Sequence, residues 1–172
     1  MAASTLPLAE WHDFYLALAT AAATFAGLLF VSVSINVDHL RSAAGERTLR
    51  AAGRTFGVLV LLVFLALVAL IPVLDATALG VTLAAAGLQG LVRVVASARV
   101  LWSEQPWRAV VLPLVAYLGL AGDAVVCFTD PPHALPLLVA PVSFLLTSAA
   151  GLSWSLLVLL QARPARAAAP RA

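Results

Sequence analysis

The sequence contains no lysine, a single cysteine and few charged residues of any kind. Its 172 residues include ten arginines and eight acidic residues, a formal net charge of +2, so only 10% of the chain is charged. Soluble domains carry roughly 25% charged residues, and a chain with so little polar surface would aggregate in water. This scarcity excludes a soluble enzyme and a disordered protein.

Further classes are excluded by the same absences. The arginines are too few and too dispersed for a nucleic-acid binder, so nucleic acid is not expected as a partner. Cys127 alone rules out an internal disulfide and a cysteine-rich metal site. The sequence also contains no P-loop, G-x-S-x-G, C-x-x-C or H-E-x-x-H motif. We therefore predict a protein without enzymatic activity, cofactor or metal.

Apolar residues, by contrast, are abundant: 63% of the chain is hydrophobic, and the mean hydropathy is +1.04. Five segments reach the length of about 20 apolar residues that a helix needs to cross a bilayer core of about 30 Å. We expect helices, because backbone in lipid must satisfy its own hydrogen bonds. The predicted spans cover about residues 14–36, 56–74, 77–96, 109–128 and 135–160. The fold class is therefore an all-α integral membrane bundle of five transmembrane helices, one domain over residues 1–160, followed by a disordered Arg/Ala/Pro tail over 161–172.

The distribution of arginine predicts the orientation of this bundle. With five spans, all ten arginines fall on one side: between spans one and two, at the end of span three and before span four, and in the tail. The segment before span one and the connections at Asp75 and Asp130 contain none. Because cytoplasmic loops are enriched in arginine and lysine, the N-terminus is expected outside and the C-terminus in the cytoplasm. The predicted location is a bacterial inner membrane.

Small residues at helical spacing predict how the spans pack, because they let two backbones approach closely. The predicted packing residues are Ala19, Ala23 and Gly27 in span one, with Ala22 and Ala26 beside them, and Gly80, Ala84, Gly87 and Gly90 in span three. The same stripes would also suit self-association or docking on a larger membrane complex. Spans two and five carry long Leu/Val runs and are expected to face lipid, whereas the short connection between spans two and three predicts antiparallel neighbours.

Asp123 is the most unusual residue of the predicted spans. It lies about five residues inside the outer end of span four. A carboxylate at the bilayer centre costs about 2.5–3.5 kcal/mol on insertion scales, and such residues mark ion or proton paths by default. The alternative is a structural carboxyl that reaches the interface or hydrogen-bonds a neighbouring helix. A polar cavity shared with Ser32, Asn36 or Thr147 would favour the ion path.

Four arginines are candidates for contact with anionic lipid or an acidic partner. The segment before span two is expected to extend that helix backwards, which places Arg47, Arg50 and Arg54 on one stripe. Arg93 lies one turn after Gln89, near the cytoplasmic end of span three. Each arginine near an anionic membrane surface contributes about 1 kcal/mol of attraction. The alternative for these residues is that they only set topology or extend to the interface.

The first span resembles a group of small bacterial, mostly actinobacterial, multi-span membrane proteins of uncharacterised function. The residues that carry the resemblance are Trp11 and Phe14, an alanine-rich stretch, and the run from Gly27 to Asn36, which reads GLLFVSVSIN. It covers about the first quarter of the chain, and it implies a membrane location but no catalytic residue. The composition, with arginine and no lysine and much alanine, is typical of a GC-rich genome.

These observations favour a non-enzymatic accessory or regulatory subunit that acts through helix–helix or lipid contacts. Its expected partners are membrane lipids, and either a second copy of itself or a larger membrane complex. The alternative is a subunit of an oligomeric ion or proton pathway that uses Asp123, with the acidic groups of the outer side attracting cations.

Overall fold

The computed structural model describes residues 8–40, 45–71, 75–101 and 108–167, and over these ranges the chain is helical apart from a few connecting residues. Its helices are α1 (Leu8–Ile35), α2 (Val37–Leu40), α3 (Glu46–Ala69), α4 (Ala76–Leu101), α5 (Arg108–Thr129) and α6 (Pro131–Ala167). All except the one-turn α2 are long and apolar enough to cross a membrane. The five long helices are those of a multi-pass membrane protein.

The last helix, α6, begins earlier and ends later than the predicted fifth span. α6 begins at Pro131, directly after α5, because proline is tolerated in the first turn of a helix, where the missing N–H has no partner to lose. The backbone N–H of His133 donates to the carbonyl of Asp130. α6 also continues to Ala167, so residues 161–167 are helical rather than disordered, since alanine is the strongest helix former. Residues 168–172 lie outside the described ranges.

The backward extension of the second span agrees with the structure. α3 begins at Glu46, ten residues before the apolar run starts at Phe56. An ion pair of 3.2 Å joins Glu46 Oε1 to Arg50 Nη2 across this first turn. A carboxylate at the start of a helix is also stabilised by the helix dipole.

The helices pack as two pairs joined by α6. α4 packs most extensively on α5, and α1 on α3, while α6 contacts α5, α3 and α1. The expectation that spans two and five are the ones that face lipid is therefore wrong, since α3 and α6 each contact three other long helices. α3 and α4 are antiparallel and consecutive, but they contact each other only slightly. Leu and Val suit lipid and protein interior equally well, so composition does not distinguish the two environments.

Charge divides the bundle into two ends. Arg50, Arg54 and Arg93 lie at one end, called here the arginine-rich end. Glu10, Asp13, Asp75 and Asp130 lie at the opposite end, called here the acidic end. The contact between Tyr15 near the start of α1 and Leu135 near the start of α6 places the beginnings of these two helices together at the acidic end.

Glycine brings α4 close to α5. A Cβ built on Gly87 would lie 3.0 Å from the backbone nitrogen of Ala121 and 3.2 Å from the carbonyl oxygen of Tyr117. The ring of Tyr117 occupies the space that a side chain on Gly90 would need. At Gly80 the same construction places Cβ 3.0 Å from Cys127. A side chain at these positions would require α5 or the ring of Tyr117 to move, so glycine favours this close spacing.

The other small residues predicted for packing are divided between buried and exposed positions. Ala19 is buried, but Ala23, Gly27 and Ala84 are exposed, and nothing lies within 4 Å of a Cβ built on Gly27. α1 instead buries the neighbouring stripe that contains Ala22, Ala26 and Leu29. The two stripes of α1 are next to each other on the helix, and the directions of α3 and α6 decide which one is covered.

We predict that Gly87→Leu destabilises the bundle by roughly 1–3 kcal/mol or more, because the added side chain must displace the backbone of α5. Gly122→Leu is the matched control, since Gly122 is exposed and no atom lies within 4 Å of its Cβ position. Cys127 is buried and is the single cysteine, so a thiol-reactive fluorophore reports unfolding during heating in detergent. Equal melting temperatures for the two variants would contradict this packing.

Candidate functional site

An open groove lies between α3 and α4. It consists of two adjoining cavities of about 430 and 590 Å³. Its lining residues, which define the α3–α4 groove, are Phe56, Gly57, Val60, Leu61 and Phe64 of α3 and Val81, Thr82, Ala85, Ala86, Gln89 and Arg93 of α4. Ligand cavities in proteins have volumes of roughly 300–1,000 Å³, so each cavity could hold a ligand of moderate size.

The groove exists because the two helices that line it pack elsewhere. The glycine face of α4 lies against α5, and α3 packs on α1 and α6. Helix–helix contact therefore leaves the facing sides of α3 and α4 uncovered. Phe64 on one wall is 52% exposed and Val81 on the other is 58% exposed, so the groove is open to the surrounding lipid.

The polar side chains of the groove lie towards the arginine-rich end. Gln89 and Arg93 are one helical turn apart on α4, and both are exposed. The Nη1 atom of Arg93 lies 3.7 Å from the position of a Cβ on Gly57, so the guanidinium group extends across the groove to α3. The absence of a side chain on Gly57 provides the space for this group.

The arginines of α3 are aligned with this region. Arg50, Arg54 and Gly57 are spaced i, i+4 and i+7, which places them on one face of the helix. Arg50 and Arg54 are exposed, and Arg50 is paired with Glu46. The side chain of Arg47 lies outside the described residues. The structure thus brings Arg93 to the stripe that sequence analysis identified on α3, a proximity that the spacing along the chain does not reveal.

Asp123 lies elsewhere, in the core at the acidic end. It is 7% exposed, and its Oδ2 atom has no hydrogen-bond partner among the described residues. Cys127 is one turn further along α5, and Tyr15 on α1 is likewise buried at this end of the bundle. The Tyr15 hydroxyl itself donates to the carbonyl oxygen of Leu135 at 2.9 Å, which joins α1 to α6.

The polar residues proposed to share a cavity with Asp123 bond to their own helices instead. Ser32 donates to the carbonyl of Leu28, and Asn36 donates to the carbonyl of Ser32, near the arginine-rich end. Thr147 is exposed and donates to the carbonyl of Ser143. Asp123 lines neither cavity of the α3–α4 groove. Among the described residues Oδ2 of Asp123 thus has neither a polar cavity nor a hydrogen bond from a neighbouring helix. The ion path and the structural carboxyl that reaches the interface or bonds a neighbouring helix both stay predictions.

The carboxylates at the acidic end do not gather into one site among the described residues. Asp130 forms a contact of 2.8 Å between its Oδ2 atom and Nδ1 of His133, and both side chains are well exposed. Within the ranges that the structure describes, His, Cys, Asp and Glu form no group of three or more that could hold a metal ion. Asp130 and His133 are exposed residues at the junction of α5 and α6.

Comparison with known proteins adds no relative: the chain matches no protein-family model, no curated protein and no solved structure. The resemblance of the first span to small actinobacterial membrane proteins stays a prediction.

We predict that Asp123→Val leaves the melting temperature unchanged or raises it, because the substitution removes a buried oxygen that lacks a partner. Tyr15→Phe should lower it, since the Leu135 carbonyl then loses its donor, at a cost of about 0.5–1.5 kcal/mol. Thermal unfolding of both variants in the same detergent checks the pair. Strong destabilisation by Asp123→Val would show that the carboxyl group has a stabilising partner.

Proposed function

We propose that this protein is a non-enzymatic accessory or regulatory subunit of a bacterial cytoplasmic membrane, acting through helix–helix or lipid contacts. The observation that carries this proposal is the α3–α4 groove. Consecutive antiparallel helices usually pack along their length, yet these two leave apolar walls uncovered over several turns. An open apolar groove within a bilayer is filled by whatever membrane component fits it.

The proposed orientation places the arginine-rich end in the cytoplasm and the acidic end outside. Arg50, Arg54 and Arg93 lie at the first end, whereas Asp75 and Asp130 lie at the second. The positive-inside rule supports this assignment, because translocated loops are depleted of arginine. With five spans, the N-terminus is then outside and the C-terminus cytoplasmic.

We predict that Ala85→Trp releases a component that the wild-type protein retains in its groove. Ala85 is exposed and lines the groove, so an indole ring there fills the space between α3 and α4. A steric penalty of roughly 1–3 kcal/mol corresponds to a loss of affinity of about 5- to 150-fold. The measurement is native mass spectrometry of protein purified from its own membranes in mild detergent.

Ala84→Trp is the matched control for this experiment. Ala84 is also exposed and adjacent in sequence, but it does not line the groove. The added bulk and hydrophobicity are the same in the two variants, so a difference in retained mass reports the groove. Equal retention by wild type and both variants would refute the groove as the contact surface.

A second candidate function is a subunit of an ion or proton pathway, and it is favoured by the buried, unpartnered Oδ2 atom of Asp123. Ionisable groups inside a membrane bundle are costly, and they are functional by default. If Asp123 belongs to a proton pathway, the wild-type protein reconstituted in liposomes is expected to conduct protons. Asp123→Asn, which keeps the shape of the side chain, abolishes the flux.

A pH-sensitive dye trapped inside the liposomes measures this flux, with protein-free liposomes as the baseline. The amide introduced by Asp123→Asn cannot release or bind a proton in the physiological range. Loss of flux in a folded variant therefore shows that the flux depends on the carboxyl group. Wild-type flux equal to that of empty liposomes, or a variant as active as the wild type, would eliminate this candidate.

A further inference from the structure

The walls and the end of the α3–α4 groove differ in polarity. Along most of its length it is lined by hydrocarbon, with Phe64 and Val60 on one side and Val81 on the other. The exposed amide of Gln89 and the guanidinium of Arg93 lie towards the arginine-rich end. A ligand that matches this groove has a long apolar part and an anionic end.

We propose that the groove binds one anionic phospholipid, with an acyl chain along the apolar walls and the phosphate group at Arg93. This inference deepens the proposed function and rests on it in one respect, which is that the groove is the surface through which the protein makes membrane contacts. The phosphate of a phospholipid accepts two hydrogen bonds from one guanidinium group, which makes arginine a specific partner for it.

The length of the groove agrees with one lipid chain. From Val81 to Arg93, α4 rises about 18 Å, whereas one leaflet of a bilayer core of about 30 Å is about 15 Å thick. Arg93 lies three residues before Ala96, where the apolar span of α4 ends. The backbone of Arg93 is thus about 4.5 Å inside the end of the span, a distance that its long side chain bridges to reach the lipid headgroups.

The charge of Arg93 is available to such a headgroup. Among the described side chains, no carboxylate lies within ion-pairing distance of its guanidinium group, whereas Arg50 is paired with Glu46. Arg54 lies on the same stripe of α3 as Gly57, one turn nearer to the arginine-rich end. Basic pockets between transmembrane helices bind anionic headgroups on the cytoplasmic side of membranes.

The shape of the walls favours a lipid over a partner helix. Helices associate in membranes through small residues, which allow close backbone approach. The groove instead presents bulky side chains on α3, including Phe56 and Phe64, both exposed. The exposed stripe of α1 with Ala23 and Gly27 is the surface suited to another helix. A flexible acyl chain adapts to the irregular surface between the phenyl rings.

The experiment uses the full-length protein in nanodiscs that contain equal amounts of phosphatidylglycerol and phosphatidylcholine with identical acyl chains. After release from the nanodiscs, native mass spectrometry counts the lipids that stay bound. Wild type is expected to retain phosphatidylglycerol in preference to phosphatidylcholine. Arg93→Gln should lower the retention of phosphatidylglycerol about fivefold, the effect of one arginine on an anionic lipid, without changing that of phosphatidylcholine.

Arg50→Gln is the charge-matched control. It removes one positive charge from the same end of the bundle, but from a side chain that is paired with Glu46 and does not line the groove. If Arg93→Gln and Arg50→Gln lower retention equally, general attraction to the protein surface explains the preference and the proposed site is overturned. Melting temperatures equal to that of wild type establish that both variants are folded.

The outcomes also separate this inference from the proposed function. Loss of the preferentially retained phosphatidylglycerol in Ala85→Trp, with its retention in Ala84→Trp, together with sensitivity to Arg93→Gln, supports the phospholipid site. If Ala85→Trp releases a bound protein, or releases lipid without preference for headgroup charge, the phospholipid inference fails while the groove remains the contact surface. If Ala85→Trp releases nothing, the proposed function and the inference both fail.

Discussion

Close approach of helix backbones is the constraint on which this bundle depends. In a bilayer, an apolar side chain gains little by exchanging lipid for protein, so packing and interhelical hydrogen bonds must hold the helices together. Gly87 lies against the backbone of Ala121, and Gly119 lies against the ring of Pro141, where a Cβ would be 3.0 Å from Pro141 Cβ. These contacts hold α4 on α5 and α5 on α6.

The open groove is a consequence of the same packing. Once the glycine face of α4 is occupied by α5, and α3 is occupied by α1 and α6, no helix of the described chain covers the space between α3 and α4. The short connection holds the two helices together at the acidic end, but it does not require contact farther along. Arg93 crosses this space to Gly57, where the missing side chain leaves room.

The two functional hypotheses concern opposite ends of the molecule. The groove carries its polar groups towards the arginine-rich end, whereas Asp123 lies in the last two turns of α5, at the acidic end. Asp123 lines neither groove cavity, so substitutions at Arg93 and at Asp123 should act independently. This separation allows lipid binding and ion flux to be tested in the same protein without one confounding the other.

The sequence by itself determined the number of long helices, the extension of α3 back to Glu46 and the clustering of arginine, because hydropathy and charge are local properties of the chain. The sequence did not determine which helix faces pack against each other. Ala22 and Ala23 belong to adjacent small-residue stripes of α1, and either stripe would have permitted close packing, yet Ala22 is buried and Ala23 is exposed. Gly87 and Ala84 likewise share small size, yet only Gly87 is buried. The tertiary structure decided which stripe is covered, because that depends on the direction from which another helix approaches. It also decided that α3 and α4 make little contact with each other, which leaves the groove between them.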